Sequence, residues 1–362
     1  MTDFMTKNKE KLEQFAAMSQ AAGSRSDYVQ GGGGNTSVKL ADGLMAIKAS
    51  GYCLSDIRPD KAYAVLDYEA LRRFYYGNEP AQLADVEKLG SACAKENTKL
   101  IEGMDALRPS VEAGFHSILK TFVCHTHSVY ANLAACSTAC CEIAEKAFNG
   151  ADYTWGWVPY TDPGANLTFA IRDELRRVEK KTGKVPSVIL MQNHGIIVHD
   201  DDAERCLAIH ADANARLAQQ VGSHGDSFPA ISVRQTGEEL YEADTPYLRE
   251  ALKNCRYDYK TFIETPLYPD QMVFLIGTFF MDKEGTPAEG ECYADTKTGA
   301  LVLHMGEKKA KTITETLTAV IFIMDTITKM GYTVSTMGEA AKSFIANWES
   351  EKYRKSLAGK KG

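Results

Sequence analysis

The sequence predicts an α/β protein in two parts, a catalytic domain over residues 1–225 and a C-terminal α/β extension over residues 226–362. Three observations predict it. Short apolar runs of strand length, such as residues 185–191 and 300–304, alternate with longer segments of helical period. A polar, glycine-bearing stretch, Gly222-Ser-His-Gly-Asp-Ser227, separates a larger group of such elements from a smaller one. At 362 residues, with 44% hydrophobic and 25% charged side chains, the chain is long and apolar enough to bury a large core.

The bulk charge narrows the partners. A net charge of −7 and a pI of about 5.7, with no compensating basic run, argue against a nucleic acid or an anionic membrane. They leave room for a local cationic pocket that takes a small anion. Residues 1–20 are polar with a helical rhythm (Phe4, Leu12, Phe15, Met18), so no secretory leader is expected. No apolar run reaches the ~18 residues that span a bilayer. The nine cysteines are scattered and form no Cys-x-x-Cys, which suits a cytoplasmic protein with reduced thiols. Cys136 and Cys140 share a helical face at i, i+4 spacing; small buried residues are the default reading, and a metal-thiolate role is the alternative.

The elements follow in order. A helix is expected over residues 5–22. Val29-Gln-Gly-Gly-Gly-Gly-Asn-Thr-Ser-Val-Lys39 then begins with four glycines, which disfavour both helix and strand interior. A flexible linker is one reading. The Asn-Thr-Ser that follows, and a hairpin with Asp42-Gly43 as a type I′ turn, favour a pinned loop whose backbone N–H groups approach a ligand. The second hairpin strand ends in Ala49-Ser-Gly-Tyr52, another small-residue loop. Two such loops at one end of a sheet form an anion cradle built from backbone N–H groups rather than from a large positive field. Neither loop has the Gly-Lys-Ser/Thr of a Walker loop or the spacing of a dinucleotide fingerprint.

Helical patterns cover residues 61–106. Pro109, followed by Glu112, marks a helix start with Glu112 and His116 at i, i+4. A strand begins at about Thr121. Helices are expected over 128–148, 166–182 and from Ala203 to about Val221, the last capped by Asp200-Asp-Asp202. An apolar strand ending at Met191 delivers Asn193-His-Gly195. In the extension, the patterns predict a helix over 237–254, strands over 272–276 and 300–304, and helices over 312–330 and 337–357.

The chemistry centres on Phe122-Val-Cys-His-Thr-His-Ser-Val129. In a strand, residues i and i+2 face the same way, so His125 and His127 can present two imidazoles to one metal. His194, between Asn and Gly at a strand end, supplies a third. Three protein ligands with an open position suit a catalytic zinc site rather than a closed structural one. Glu112 is either a helix-terminal charge, a fourth ligand or a proton carrier; the local pattern favours the functional roles.

Six motifs occur in order: Gly33-Gly-Asn-Thr-Ser37, Ala49-Ser-Gly51, Pro109-Ser-Val-Glu112 with His116, His125-Thr-His127, Pro159-Tyr-Thr-Asp-Pro-Gly164 and Asn193-His-Gly195. Together they resemble the zinc-dependent class II aldolase/adducin family over about residues 5–225. The resemblance looks closest to L-rhamnulose- and L-fuculose-1-phosphate aldolases and to the aldolase half of bifunctional rhamnulose-phosphate aldolase/dehydrogenases. It implies an α/β/α sandwich around a largely antiparallel sheet, and a homotetramer with sites at subunit interfaces. It implies zinc, or another divalent transition metal, on His125, His127 and His194. Glu112 would be the acid/base and a ligand of the resting metal. Gly34, Asn35, Ser50, Gly51 and Ser110 would hold the substrate phosphate. The activity implied is cleavage of a ketose 1-phosphate, through a metal-stabilised enediolate, to dihydroxyacetone phosphate and an aldehyde. Tyr153 and Tyr160 are the candidates to serve the aldehyde, commonly from a neighbouring subunit. The alternatives are a sugar-phosphate 4-epimerase or sugar-acid-phosphate decarboxylase on the same scaffold, or a non-catalytic adducin-like module. The 4-epimerases typically carry Asp at the position of Glu112, and adducin-like modules tend to lose metal ligands, so cleavage is favoured. Two departures stand out: Val111 occupies a place where family members often have a second Ser, and residues 226–362 carry no dehydrogenase glycine fingerprint.

Overall fold

The computed structural model describes residues 3–223 and 227–347. Residues 224–226 of the expected domain boundary, and the expected end of the C-terminal helix from Trp348 onward, lie outside them. The first sheet has eight strands: β1 (Asn35–Lys39), β2 (Leu44–Lys48), β3 (Tyr63–Asp67), β4 (Thr98–Lys99), β5 (Phe122–Thr126), β6 (Trp155–Val158), β7 (Val188–Met191) and β8 (Gly195–Asp200). Their spatial order is β4-β3-β2-β1-β5-β8-β7-β6, and every neighbouring pair is antiparallel except β6 and β7. The helices of this part are α1 (Asp3–Lys7), α2 (Lys9–Gly23), α3 (Tyr68–Gly77), α4 (Val86–Glu96), α5 (Ala113–Ile118), α6 (Val129–Ala135), α7 (Cys140–Ala147), α8 (Ala165–Thr182) and α9 (Ala203–Gln220).

Period-two alternation builds two apolar faces on this sheet. Val38, Ala46, Cys124, Leu190 and Val198 face one core, with Phe15 of α2 and Cys206 of α9. Val123, Ile189 and Ile197 face the other, with Phe115 of α5 and Leu175 of α8. Helices therefore cover both sides of a largely antiparallel sheet, the α/β/α arrangement expected.

The remaining chain forms α10 (Pro246–Lys253), α11 (Tyr259–Glu264), α12 (Pro269–Leu275), α13 (Glu307–Lys329), α14 (Glu339–Asn347) and strands β9 (Val233–Gly237), β10 (Leu240–Ala243), β11 (Phe279–Met281), β12 (Cys292–Asp295) and β13 (Ala300–His304). These strands make a second sheet in the order β11-β12-β13-β10-β9. Leu267, Phe279, Leu317 and Val320 of this part join the same buried cluster as Phe15, Leu133 and Val198 of the first. No helix among the described residues is long and apolar enough to cross a membrane.

Several elements differ from expectation, each for a physical reason. The first helix breaks at Asn8, whose side chain bonds the Phe4 carbonyl and the Ala41 N–H and so competes with the helix ladder. Within 61–106, residues 63–67 form β3, and Asp67 then caps α3 by accepting the Ala70 N–H. The hairpin turn has Asp42 and Gly43 both at positive φ, but Lys39 pairs with Met45 and the Leu40 N–H donates to the Leu44 carbonyl, so the connection is a three-residue loop, Ala41-Asp42-Gly43, rather than a two-residue type I′ turn. The helix over 128–148 is interrupted between α6 and α7, which leaves Cys136 and Cys140 on either side of the break. Residues 237–245 turn back as a half-exposed hairpin rather than a helix, leaving only 246–253 helical. The apolar run 272–276 belongs to α12 rather than to a strand. Pro269 at the first turn and Asp270 beside it start a helix there.

Candidate metal centre

Strand pairing assembles the site. β1 and β5 run antiparallel with Asn35 directly opposite His125. Alternation then sends Asn35, Ser37 and His125 to the same face, where α5 packs and Phe115 meets the His125 ring edge-on. His127 stands one residue past β5 and continues that alternation. His194 comes from the tight turn between β7 and β8. Asn193 takes a left-handed conformation there (φ 50°), which Asn tolerates better than most residues. Its amide is held by the carbonyls of Leu267 and Ser335, each at 2.8 Å, and its oxygen accepts from the Ser335 hydroxyl. A side chain at Gly195 would collide with the Thr126 carbonyl, so the turn can press against the histidine strand only with glycine there.

The three imidazoles converge. Ligand atoms of His125, His127 and His194 all lie within 4.8 Å of one another, and all three residues are buried. This is the one group of three or more His, Cys, Asp or Glu side chains among the described residues that could share an ion; Cys136 and Cys140 belong to none. His125 Nδ1 donates to the Ile196 carbonyl at 3.0 Å. His127 Nδ1 donates to Asp270 Oδ2 at 2.5 Å. Both rings therefore turn Nε2 lone pairs inward, and those atoms stand 3.2 Å apart. Two facing lone pairs repel unless a cation lies between them. Tetrahedral zinc with imidazole nitrogens at about 2.05 Å sets them about 3.3 Å apart. Burial, reinforced by neighbouring histidines, keeps the rings of His125 and His194 neutral: His125 is held down to about 3, and His194 well below its usual value. Neutral imidazole is the ligating form, so the donor set fits a divalent transition metal.

Glu112 completes the group. It precedes α5, with Oε2 3.5 Å from His125 Nε2 and Oε1 3.4 Å from His194 Nε2. Burial raises its pKa, opposed by a hydrogen bond from Asn35. Asn35 Nδ2 donates to Oε2 at 2.7 Å and to Ser110 Oγ at 3.1 Å. Oε1 is buried with no hydrogen-bond partner among the described residues, an atom placed to face an ion or a substrate. His116 fixes this amide. Its ring is kept neutral by burial, Nδ1 accepts from the Ser37 hydroxyl at 2.7 Å, and Nε2–H donates to Asn35 Oδ1.

The two loops expected to hold an anion adjoin these groups. One cavity is lined by His127, His194 and Glu112, and also by Gly34, Asn35, Ser50, Gly51 and Ser110. A bridge between Ala49 and Pro109 ties the Ala49–Tyr52 loop to the segment that carries Ser110 and Glu112, and Ser50 Oγ donates to the Pro109 carbonyl at 3.0 Å. Val111 lines the wall where a hydroxyl was expected. Lys48 was missed. It is only 5% exposed, lines the same cavity, and its ammonium donates to the carbonyls of Gly32 (3.2 Å) and Tyr52 (2.8 Å), one on each glycine loop. The cavity thus carries the Lys48 side chain, whereas the N–H groups of Gly33, Ser50 and Ser110, expected to face an anion, bond the carbonyls of Gln30, Arg108 and Lys48. The available signal was a lysine ending an apolar strand, directly before Ala-Ser-Gly.

The two tyrosines fare differently. Tyr153 donates to Asp212 at 2.8 Å and packs on Phe148; it does not line the cavity. Tyr160 does not line it either; it lies in a small apolar cluster with Val273 and Ile345, which do, and its hydroxyl donates to Asp162 at 3.3 Å.

The family model of the class II aldolase and adducin N-terminal domain matches residues 13–221. No curated protein matches the chain. Solved structures with a similar fold include the N-terminal class II aldolase domain of a conserved protein from Thermoplasma acidophilum, 20% identical over 57% of this chain and 92% of that one, at a TM-score of 0.47. An L-fuculose 1-phosphate aldolase from Glaciozyma antarctica PI12 is 12% identical over 62% and 77% of the two chains, at 0.39. A sugar-phosphate aldolase from Thermotoga maritima is 14% identical over 58% and 94%, at 0.38. With that match spanning more than half of the sequence, over a largely antiparallel sheet covered by helices on both sides, the chain belongs to the class II aldolase and adducin N-terminal domain family.

Proposed function

We propose that the chain is a metal-dependent aldolase that cleaves a ketose 1-phosphate, of the L-rhamnulose or L-fuculose type, to dihydroxyacetone phosphate and an aldehyde. The observation that carries this reading is the juxtaposition in one cavity of His127, His194 and Glu112 with the cationic cradle of Lys48, Asn35, Ser50 and Ser110. A zinc ion, or another divalent transition metal, held by His125, His127 and His194 would supply Lewis-acid stabilisation of the negative charge that builds on the ketone oxygen.

The chain's own groups do the rest. Lys48, with the hydroxyls and amides of the two loops, binds the phosphate and fixes which end of the sugar faces Glu112. In cleavage, the hydroxyl beside the breaking bond gives up its proton to the Glu112 carboxylate as its carbon becomes the aldehyde. The electron pair of the carbon–carbon bond stays on the phosphate-bearing fragment, and a protonated Glu112 delivers its proton to that carbon. Asn35 occupies Oε2, so the proton travels on Oε1. Burial, which raises the Glu112 pKa, favours a carboxyl able to hold that proton. Tyr160, packed beside the lining residues Val273 and Ile345, is the candidate to serve the aldehyde. Pro269, Val273 and Ile345 line the cavity with apolar surface that excludes water.

The test is a retro-aldol panel of ketose 1-phosphates and matching free ketoses, read as equal yields of dihydroxyacetone phosphate and aldehyde. Lys48→Met should raise KM for phosphorylated substrates by about tenfold or more, the worth of a charge-assisted contact, and leave any free-ketose cleavage unchanged. Formation of a 4-epimer or carbon dioxide in place of the two fragments would overturn the reading.

A further inference from the structure

The part of the chain beyond the family match reaches the candidate metal centre at four points. Asp270 bonds His127. Glu315 of α13 accepts the Gly31 N–H at 3.0 Å. The Tyr268 hydroxyl donates to the Gln30 side chain at 3.3 Å. The backbone of Leu267 and Ser335 holds Asn193, next to His194. These four contacts hold the glycine loop and two of the three histidine positions from residues that lie after residue 221.

Asp270 makes the most direct of these contacts. Its carboxylate is 1% exposed, sits in the first turn of α12 and meets the ring nitrogen of His127 that points away from the other histidines. Room for it is made by the glycine run: a Cβ at Gly33 would stand 2.3 Å from Asp270 Oδ2 and 3.0 Å from His127 Nδ1. The third glycine of that run therefore has a steric task that neither turn formation nor ligand approach demands.

We propose that Asp270 is a positioning residue, supplied by the C-terminal part of the chain, that holds the His127 ring with Nδ1–H engaged and Nε2 turned toward the metal. The proposal rests on the metal-dependent reading of the site. A carboxylate behind a ligating histidine fixes its tautomer and its ring rotation and strengthens it as a ligand; losing such a partner weakens metal binding by about 10- to 100-fold. In this role Asp270, which also lines the cavity, acts through His127.

The experiment measures metal affinity on the full chain by competition with a chromophoric chelator, using Zn2+ and Co2+, for the wild type, Asp270→Ala and Asp270→Asn. Asn keeps an acceptor oxygen for Nδ1–H without the charge. Asp270→Ala should bind about 10- to 100-fold more weakly, with an altered visible spectrum of the Co2+ form, while Asp270→Asn recovers most of both. The thermal midpoint of the metal-free proteins accompanies each titration, and if Asp270→Ala does not fold, Asp270→Asn decides alone: near wild-type affinity and spectrum support the role. Wild-type affinity in Asp270→Ala, or an equal loss in both variants, overturns it. A wild type that takes up no divalent metal overturns the metal reading itself, and this role with it.

Discussion

Glu112→Gln is expected to lower turnover by about 10²- to 10⁴-fold, the usual worth of a positioned acid/base, while the variant keeps its fold and binds metal. The amide is nearly isosteric with the carboxyl. It can still receive the Asn35 Nδ2 hydrogen bond on its oxygen, so the local network survives. What it loses is the capacity to carry a proton on Oε1, which has no hydrogen-bond partner among the described residues. Steady-state kinetics in both directions check this: kcat should fall in cleavage and in condensation alike, because one group serves the same carbon both ways. Exchange of the dihydroxyacetone phosphate proton with solvent should fall in parallel. Unchanged turnover would remove Glu112 as the proton carrier and leave it only a place beside the metal.

His127→Ala has the larger expected effect. It deletes one of three ligands and leaves Asp270, a buried carboxylate, without its imidazole. The loss of affinity should exceed the ~100-fold upper end seen when only a second partner of a ligand is removed. Metal content after dialysis should fall close to zero and activity with it. Stability of the metal-free fold should also drop, because the buried Asp270 carboxylate loses the hydrogen bond that His127 donates, a loss of about 1–3 kcal/mol. Metal analysis beside a thermal scan separates the two effects. Full metal occupancy in this variant would remove His127 from the site.

Much of this centre was readable from local pattern. His125 and His127 share a face because a strand alternates, and that holds wherever the strand lies. His194 announced itself by Asn and Gly on either side, which the left-handed turn at Asn193 and the contact at Gly195 now account for. Asp270 had no such signal. It lies 143 residues from its partner, on a stretch whose apolar run resembles a strand. Lys48 was hidden differently: its strand was anticipated, but a lysine at a strand end is usually solvated, and only the closure of two loops over it makes it a buried cation. The misread helix over 237–254 has a similar origin. Its hairpin is half-exposed, so the alternation that marks a buried strand is weak, and tertiary pairing of β10 with β13 decides the structure.

The most direct measurement is a reconstitution titration. The wild-type chain is stripped of metal with a chelator and titrated with Zn2+ or Co2+ while bound metal and retro-aldol activity are followed together. Both should rise along one line and saturate at about one ion per chain, as expected for three protein ligands with an open fourth position. Activity that is complete in the stripped protein, or that stays absent once the ion is fully bound and ketose 1-phosphate is supplied, would contradict the account.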